Sequence, residues 1–178
     1  GEVSIKGIRL DLSDPIGSVF NHVQRIFLDF KKRGFLLAIC SKNEEHIALN
    51  ALFNHPSSLI SKEDIVAHRI NWKEKSKNIL EICEELNISP KDTIFVDDSK
   101  HECEEVLSNI DQISIFTVPE NIFSYPSLLL NDPLFLYDSS TAEDSNRTSL
   151  YKEGLERKKF LETTLKQLGS KEEWLRSL

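Results

Sequence analysis

Three short stretches of this 178-residue chain carry side chains suited to phosphate and metal chemistry. Asp97-Asp98-Ser99 closes the apolar run TIFV. Adjacent carboxylates repel each other, and a hard cation such as Mg²⁺, commonly held by one or two carboxylates plus a substrate phosphate, would relieve that repulsion. The competing reading has Asp98 capping the next helix and Asp97 in solvent, and Val-Asp-Asp alone is a short motif. Ser41 follows the apolar run FLLAIC and precedes a helix, in Cys40-Ser41-Lys42-Asn43. A hydroxyl beside free N–H groups at a helix start is an anion seat. It is equally an ordinary cap, a role for which Asn43 competes. Lys75 opens a later helix, where a cation opposes the helix dipole. A nearby phosphate or carboxylate would offset this. A solvated basic cluster with Lys73 and Lys77 is the alternative.

The elements around these residues decide whether they meet. Phe20, Val23, Phe27 and Phe30 recur at helical spacing, with Ser18 as a possible cap and Gly34 as the stop. Residues 35–40 form an apolar run suited to a strand covered on both faces. A helix over 44–53 follows, then a Leu59–Ile60 strand and a helical turn over 62–67. Next come a helix over 74–87, a strand over 93–96, a helix over 100–108 and a strand over 113–118. Short connections between alternating helices and strands predict a three-layer, Rossmann-like α/β fold with a mainly parallel sheet. Ligands of such sheets bind at the carboxyl ends of strands, where Ser41 and Asp97-Asp98 fall.

The flanks are less regular. Residues 1–17 read as a loop with a short hairpin around Val3 to Leu10. Residues 138–148, DSSTAEDSNRT, read as a linker. A helix over 149–168 is stopped by Gly169, and a short helix covers 171–178. From 138 onward eight acids balance eight bases, so the net charge of −7 belongs to residues 1–137. The expected division is an α/β core over 1–137 and a linker plus helical extension over 138–178, leading toward a possible downstream domain.

The acidic balance, with a pI near 5.3, argues against general nucleic-acid binding. No apolar run approaches the roughly 18 residues of a membrane span. Without a signal-peptide pattern or a disulfide framework among its three cysteines, the chain reads as cytoplasmic. The five histidines lack metal-ligand spacing, and no GxGxxG or Walker loop occurs. Cys40 and Cys83 read as core residues and Cys103 as an ordinary thiol. The chain contains no methionine and begins Gly-Glu-Val, the pattern of a fragment or processed product.

Taken in order, a Ser after a strand, a Lys opening a helix and an Asp pair after a later strand resemble the haloacid dehalogenase-like superfamily. The words LLAICSKN, HRINWKEKSKNI, EELNI, IFVDDSKHECEEV and TSLYKEGLERKKFLE resemble its FkbH-like branch, the methoxymalonyl- or glyceryl-loading proteins of polyketide pathways. The resemblance implies a Mg²⁺-dependent phosphatase domain acting on a phosphorylated small molecule. It implies coupled loading of a three-carbon glyceryl unit onto an acyl carrier protein. Ser41, Lys42 and Lys75 would then bind phosphate, with Ser41 and Lys75 acting in catalysis, and Asp97 and Asp98 would hold Mg²⁺. Where the family has Asn-Pro after the Asp pair, this chain has Ser99-Lys100, while Glu102 keeps the following acidic position. Cys40 is a conceivable acyl acceptor.

The superfamily's Asp-x-Asp nucleophile motif ends an apolar first strand. Asp11-Leu12-Ser13-Asp14 follows no such strand, so no nucleophile is assigned in this chain. The first strand is expected to lie outside it, with Gly1 falling just after the catalytic aspartates. Two other classes remain. A family member without catalysis would bind a carrier protein or other partner. A receiver-like phosphoacceptor would place its acidic pair on its first strand, which is not the order here.

Overall fold

The computed structural model describes residues 9–136 and 146–176. Helix α1 spans Pro15–Lys32, and the carboxylate of Asp14 accepts from the N–H groups of Ile16 and Gly17 at its start. Asp14 is therefore the cap, not Ser18. Pro15 at the first position loses nothing there, because that N–H has no intrahelical partner. Gly17 is buried so tightly against the Asp11 backbone carbonyl that a Cβ would overlap it. The expected hairpin around Val3 lies mostly outside the described residues.

Strand β1 is Leu37–Ser41, helix α2 is Glu45–Asn54 and strand β2 is Ile65–Ile70. Asn43 does not cap α2. Its carbonyl oxygen accepts from the N–H of Glu44, which holds the cap position. Leu59 and Ile60 form no strand; their N–H groups donate to Gln24, a buried residue of α1. The expected helical turn over 62–67 is a 3-10 turn at Lys62–Asp64 that gives way to β2. His68 and Arg69 hid this strand in the sequence by breaking its apolar run. They reach Glu45, Glu81 and Glu85 at the margin of the fold.

Helix α3 spans Lys75–Leu86, strand β3 Ile94–Asp97, helix α4 Lys100–Asn109 and strand β4 Ser114–Thr117. The apolar run after Pro119 is helix α5, Tyr125–Asn131. The extension is one helix, α6, over Arg147–Arg176. Gly169 does not stop it, and no second helix begins at 171. Tyr151 and Leu155 anchor its first turns against the cluster of Val66, Ala67, Ile82 and Leu86.

All strand pairing is parallel, as β1 with β2 and β3 with β4. Alternation along β3 makes the layers. Ile94 and Val96 join Phe30, Leu129 and Phe135 on the face of α1 and α5. Phe95 joins Ile79, Cys83 and Val106 on the face of α3 and α4. The expected single sheet is thus two strand pairs. Among the described residues, β1 and β3 are not hydrogen-bonded to each other. A cavity of about 640 Å³ is lined by Leu37 and Cys40 of β1, Phe95 and Val96 of β3, Phe30 of α1 and Ile82 of α3. Consequently β1 is only half-buried, although its apolar composition suits burial on both faces.

The Gly17 contact has a direct test. Gly17→Ala should lower unfolding free energy by about 1–3 kcal/mol through overpacking against the Asp11 carbonyl. Chemical denaturation compared with an Ala substitution at exposed Ser18 measures it.

Candidate functional site

The carboxyl ends of β1 and β3 carry Ser41 and Asp97, and the first residue of α3 is Lys75. Lys75 and Asp97 form a direct ion pair, with side chains only 10% and 8% exposed. The Lys75 ammonium also lies 5.5 Å from the centre of the Phe95 ring, a cation–π arrangement. Lys73 and Lys77, by contrast, are exposed and pair with Glu81 and Glu74. The three lysines are therefore not one solvated cluster: the middle one is internal.

Asp97 is not a solvated loop residue, and Asp98 is not a helix cap. Asp97 ends the buried strand and its second oxygen accepts the Ser99 N–H at 2.9 Å. Ser99 caps α4, accepting from the N–H of Glu102. Asp98 is exposed. Glu102 points back toward the strand ends. One of its oxygens accepts from Lys42 Nζ at 2.7 Å, and the other is buried with no hydrogen-bond partner. Three residues on, and so on the same face of α4, Glu105 accepts from the N–H and hydroxyl of Ser76. That contact ties α4 to the start of α3.

The loop after β2 is equally pinned. The Asn71 N–H donates to the Ser41 carbonyl at 3.1 Å. Asn71 and the fully buried Asn78 exchange two side-chain hydrogen bonds. Ser41, Lys75 and Asp97 are thereby held by three elements that share one end of the strands. The Ser41 hydroxyl makes no hydrogen bond among the described residues, so it is available to a ligand.

The structure joins Lys75 to Asp97 and Lys42 to Glu102; it does not join Ser41 or Asp98 to either pair by a hydrogen bond. Neither the Lys42 contact with Glu102 nor the Glu105 clamp is legible in the sequence. Their signal was the spacing of Glu102 and Glu105 on one helix, which reads as a solvated acidic face until the fold is known. The carboxylates of Asp97, Asp98 and Glu102 are hard oxygen donors fit for a divalent cation. As arranged among the described residues, they do not form a closed group of three or more ligands.

Cys40 donates to the Lys75 carbonyl at 3.8 Å. Burial pushes its thiol up from 9.0 to about 11, with the Lys75 charge opposing. A thiol so held is a packing residue, because thiolate is the nucleophilic form.

No protein-family model and no curated protein matches this chain. Among solved structures it is similar to the N-terminal part of the protein BF1531 from Bacteroides fragilis, containing a phosphatase domain and complexed with Mg. The TM-score is 0.73 at 28% identity, over 79% of this chain and 37% of that one. This chain has the α/β fold of that structure. The Rossmann-like α/β layering with parallel strands expected from the sequence is observed, and the present chain spans little more than a third of that structure's length. No described helix is long and apolar enough to cross a membrane.

Two outcomes follow. Asp97→Leu or Lys75→Met alone should cost about 3–5 kcal/mol by stranding a buried charge, whereas the double variant should recover much of that loss. Additive losses in a denaturation cycle would show that the two do not depend on each other. The raised Cys40 pKa contributes stability that is fully present below about pH 9 and is lost as pH rises toward about 11. Cys40→Ala should therefore flatten the fall in unfolding free energy between those pH values, and Cys40 in the native protein should resist iodoacetamide at pH 8.

Proposed function

We propose that this chain forms the phosphate- and metal-holding part of a Mg²⁺-dependent phosphatase acting on a phosphorylated small molecule. The observation that carries the reading is the buried Lys75–Asp97 pair at the carboxyl ends of parallel strands. It lies in a fold shared with a Mg-bound phosphatase domain. Fixed charge aimed at developing phosphoryl charge is what such catalysis requires.

Asp97, Asp98 and Glu102 would hold Mg²⁺. The unpartnered buried oxygen of Glu102 supports the fit, since a buried carboxylate oxygen without a partner costs free energy that a cation would offset. Mg²⁺, when bound, supplies positive charge against the phosphoryl oxygens. Ser41 donates its free hydroxyl to one of those oxygens, and Lys75 presents its ammonium to another. Ser76 and Glu105 keep the start of α3 in place while charge shifts.

The attacking carboxylate is not among the described residues at this site. The cavity between β1 and β3 supports its arrival on an extended apolar segment parallel to both strands. Such a segment would complete one sheet and end beside Lys75 and Asp97. A strand has two hydrogen-bonding edges, so one inserted strand would pair with β1 on one side and β3 on the other. The apolar character of β1 fits a central position of that kind.

The finer reading rests on the FkbH-like resemblance. The substrate is a three-carbon glyceryl phosphate donor, and dephosphorylation is coupled to loading the acyl unit onto an acyl carrier protein in polyketide-type biosynthesis in the cytoplasm. In this reading residues 1–137 are the catalytic α/β core and 138–178 the extension. A non-catalytic module that binds a carrier protein is the second reading. It is favoured by the lack of a candidate nucleophile among the described site residues.

Calorimetry separates these readings at the metal. Mg²⁺ should bind the wild-type chain, and Asp97→Asn with Asp98→Asn together should weaken it at least about tenfold. Unchanged Mg²⁺ affinity in that double variant contradicts the assignment.

A further inference from the structure

Lys42 and Lys75 differ in how they are held. Lys75 is enclosed, with its partner Asp97 fixed by the Ser99 N–H. Lys42 is about one-third exposed at 32%, while its partner Glu102 is only 13% exposed. A lysine ammonium on its four-carbon stem is a movable point charge. The ion pair therefore joins a movable cation to an anchored carboxylate. That carboxylate is also under-satisfied, because its second oxygen is buried without a partner. Lys42 directly follows Ser41, whose hydroxyl has no hydrogen-bond partner among the described residues.

We infer that Lys42 is an exchangeable ligand, held by Glu102 and transferred to phosphate when a divalent cation engages Glu102. The inference rests on the phosphatase reading above and adds an order to it. A cation drawn to the free Glu102 oxygen competes with the ammonium for the same carboxylate and repels it at short range. Lys42 directly follows Ser41, so the released ammonium on its flexible stem stays beside an anion seated there. Lys75 has no such freedom, because its pair is buried on both sides. Metal and phosphate thus bind with positive coupling, and linkage makes the coupling equal in both directions.

Titration calorimetry with inorganic phosphate, at zero and at saturating Mg²⁺, tests this on the chain as it stands. Wild-type phosphate affinity should rise about tenfold or more with Mg²⁺, within the usual range of such couplings. Lys42→Met should cut the coupling several-fold. Glu102→Gln should do what a merely structural loss cannot: it should tighten Mg²⁺-free phosphate binding several-fold by releasing Lys42. Adding Lys42→Met to Glu102→Gln should abolish that gain. Wild-type coupling in Lys42→Met, or no gain in Glu102→Gln, overturns the inference while leaving the phosphatase reading intact. Absence of phosphate binding by the wild-type chain, with or without Mg²⁺, overturns both.

Discussion

The buried ion pair between Lys75 and Asp97 is the constraint around which the rest of the molecule is arranged. Removing two charges from water costs several kcal/mol per ion even after relaxation, and a pair recovers that only with good geometry and further hydrogen bonds. The fold supplies both. Asp97 is held at the end of β3 by the Ser99 N–H, and the Lys75 ammonium sits above the Phe95 ring. A hydrophobic pair of similar volume would serve stability as well or better. The charges are therefore best explained by what they can do at the mouth of the site.

Helix α3 makes the pair possible because it bridges the two strand pairs. Its Ile79 and Cys83 pack with Phe95 and α4, while Ile82 and Leu86 pack with Val66 and Ala67 of β2. Its start is tied to α4 through Ser76 and Glu105, and Asn78 is tied to the loop after β2. One helix thus transmits the positions of both strand ends to one lysine. The same arrangement accounts for the cavity between β1 and β3: α3 packs against both strand pairs, and among the described residues β1 and β3 share no hydrogen bond.

How much of this could be read from the chain follows the same physics. The alternation of FLLAIC, the 74–87 stripe and TIFV was enough to give the layered α/β fold and to put Ser41 and Asp97 at strand ends. These are long apolar signals that tertiary structure seldom overrides. Strand β2 is hidden in the sequence because His68 and Arg69 serve ion pairs at the margin, which erases the apolar pattern of a short strand. Helix α6 runs through Gly169 although glycine reads as a stop in the sequence, because a glycine within a long helix costs only about 1 kcal/mol. At the site, residue types pointed to Lys75 and Asp97 individually. Their contact, the burial of Asp97 with Asp98 left exposed, and the Lys42–Glu102 pair depend on which way side chains turn at the ends of elements. No periodicity encodes that.

The proposed function requires a divalent cation seated at these strand ends by Asp97 with Asp98 and Glu102. Anomalous diffraction from crystals of the chain soaked in Mn²⁺, which shares the oxygen preference of Mg²⁺, tests it most directly. The expected result is an anomalous peak within about 2–2.5 Å of an Asp97 or Asp98 oxygen, with Glu102 turned toward it directly or through a water. A peak elsewhere on the molecule, with none at these carboxylates at saturating Mn²⁺, would contradict it.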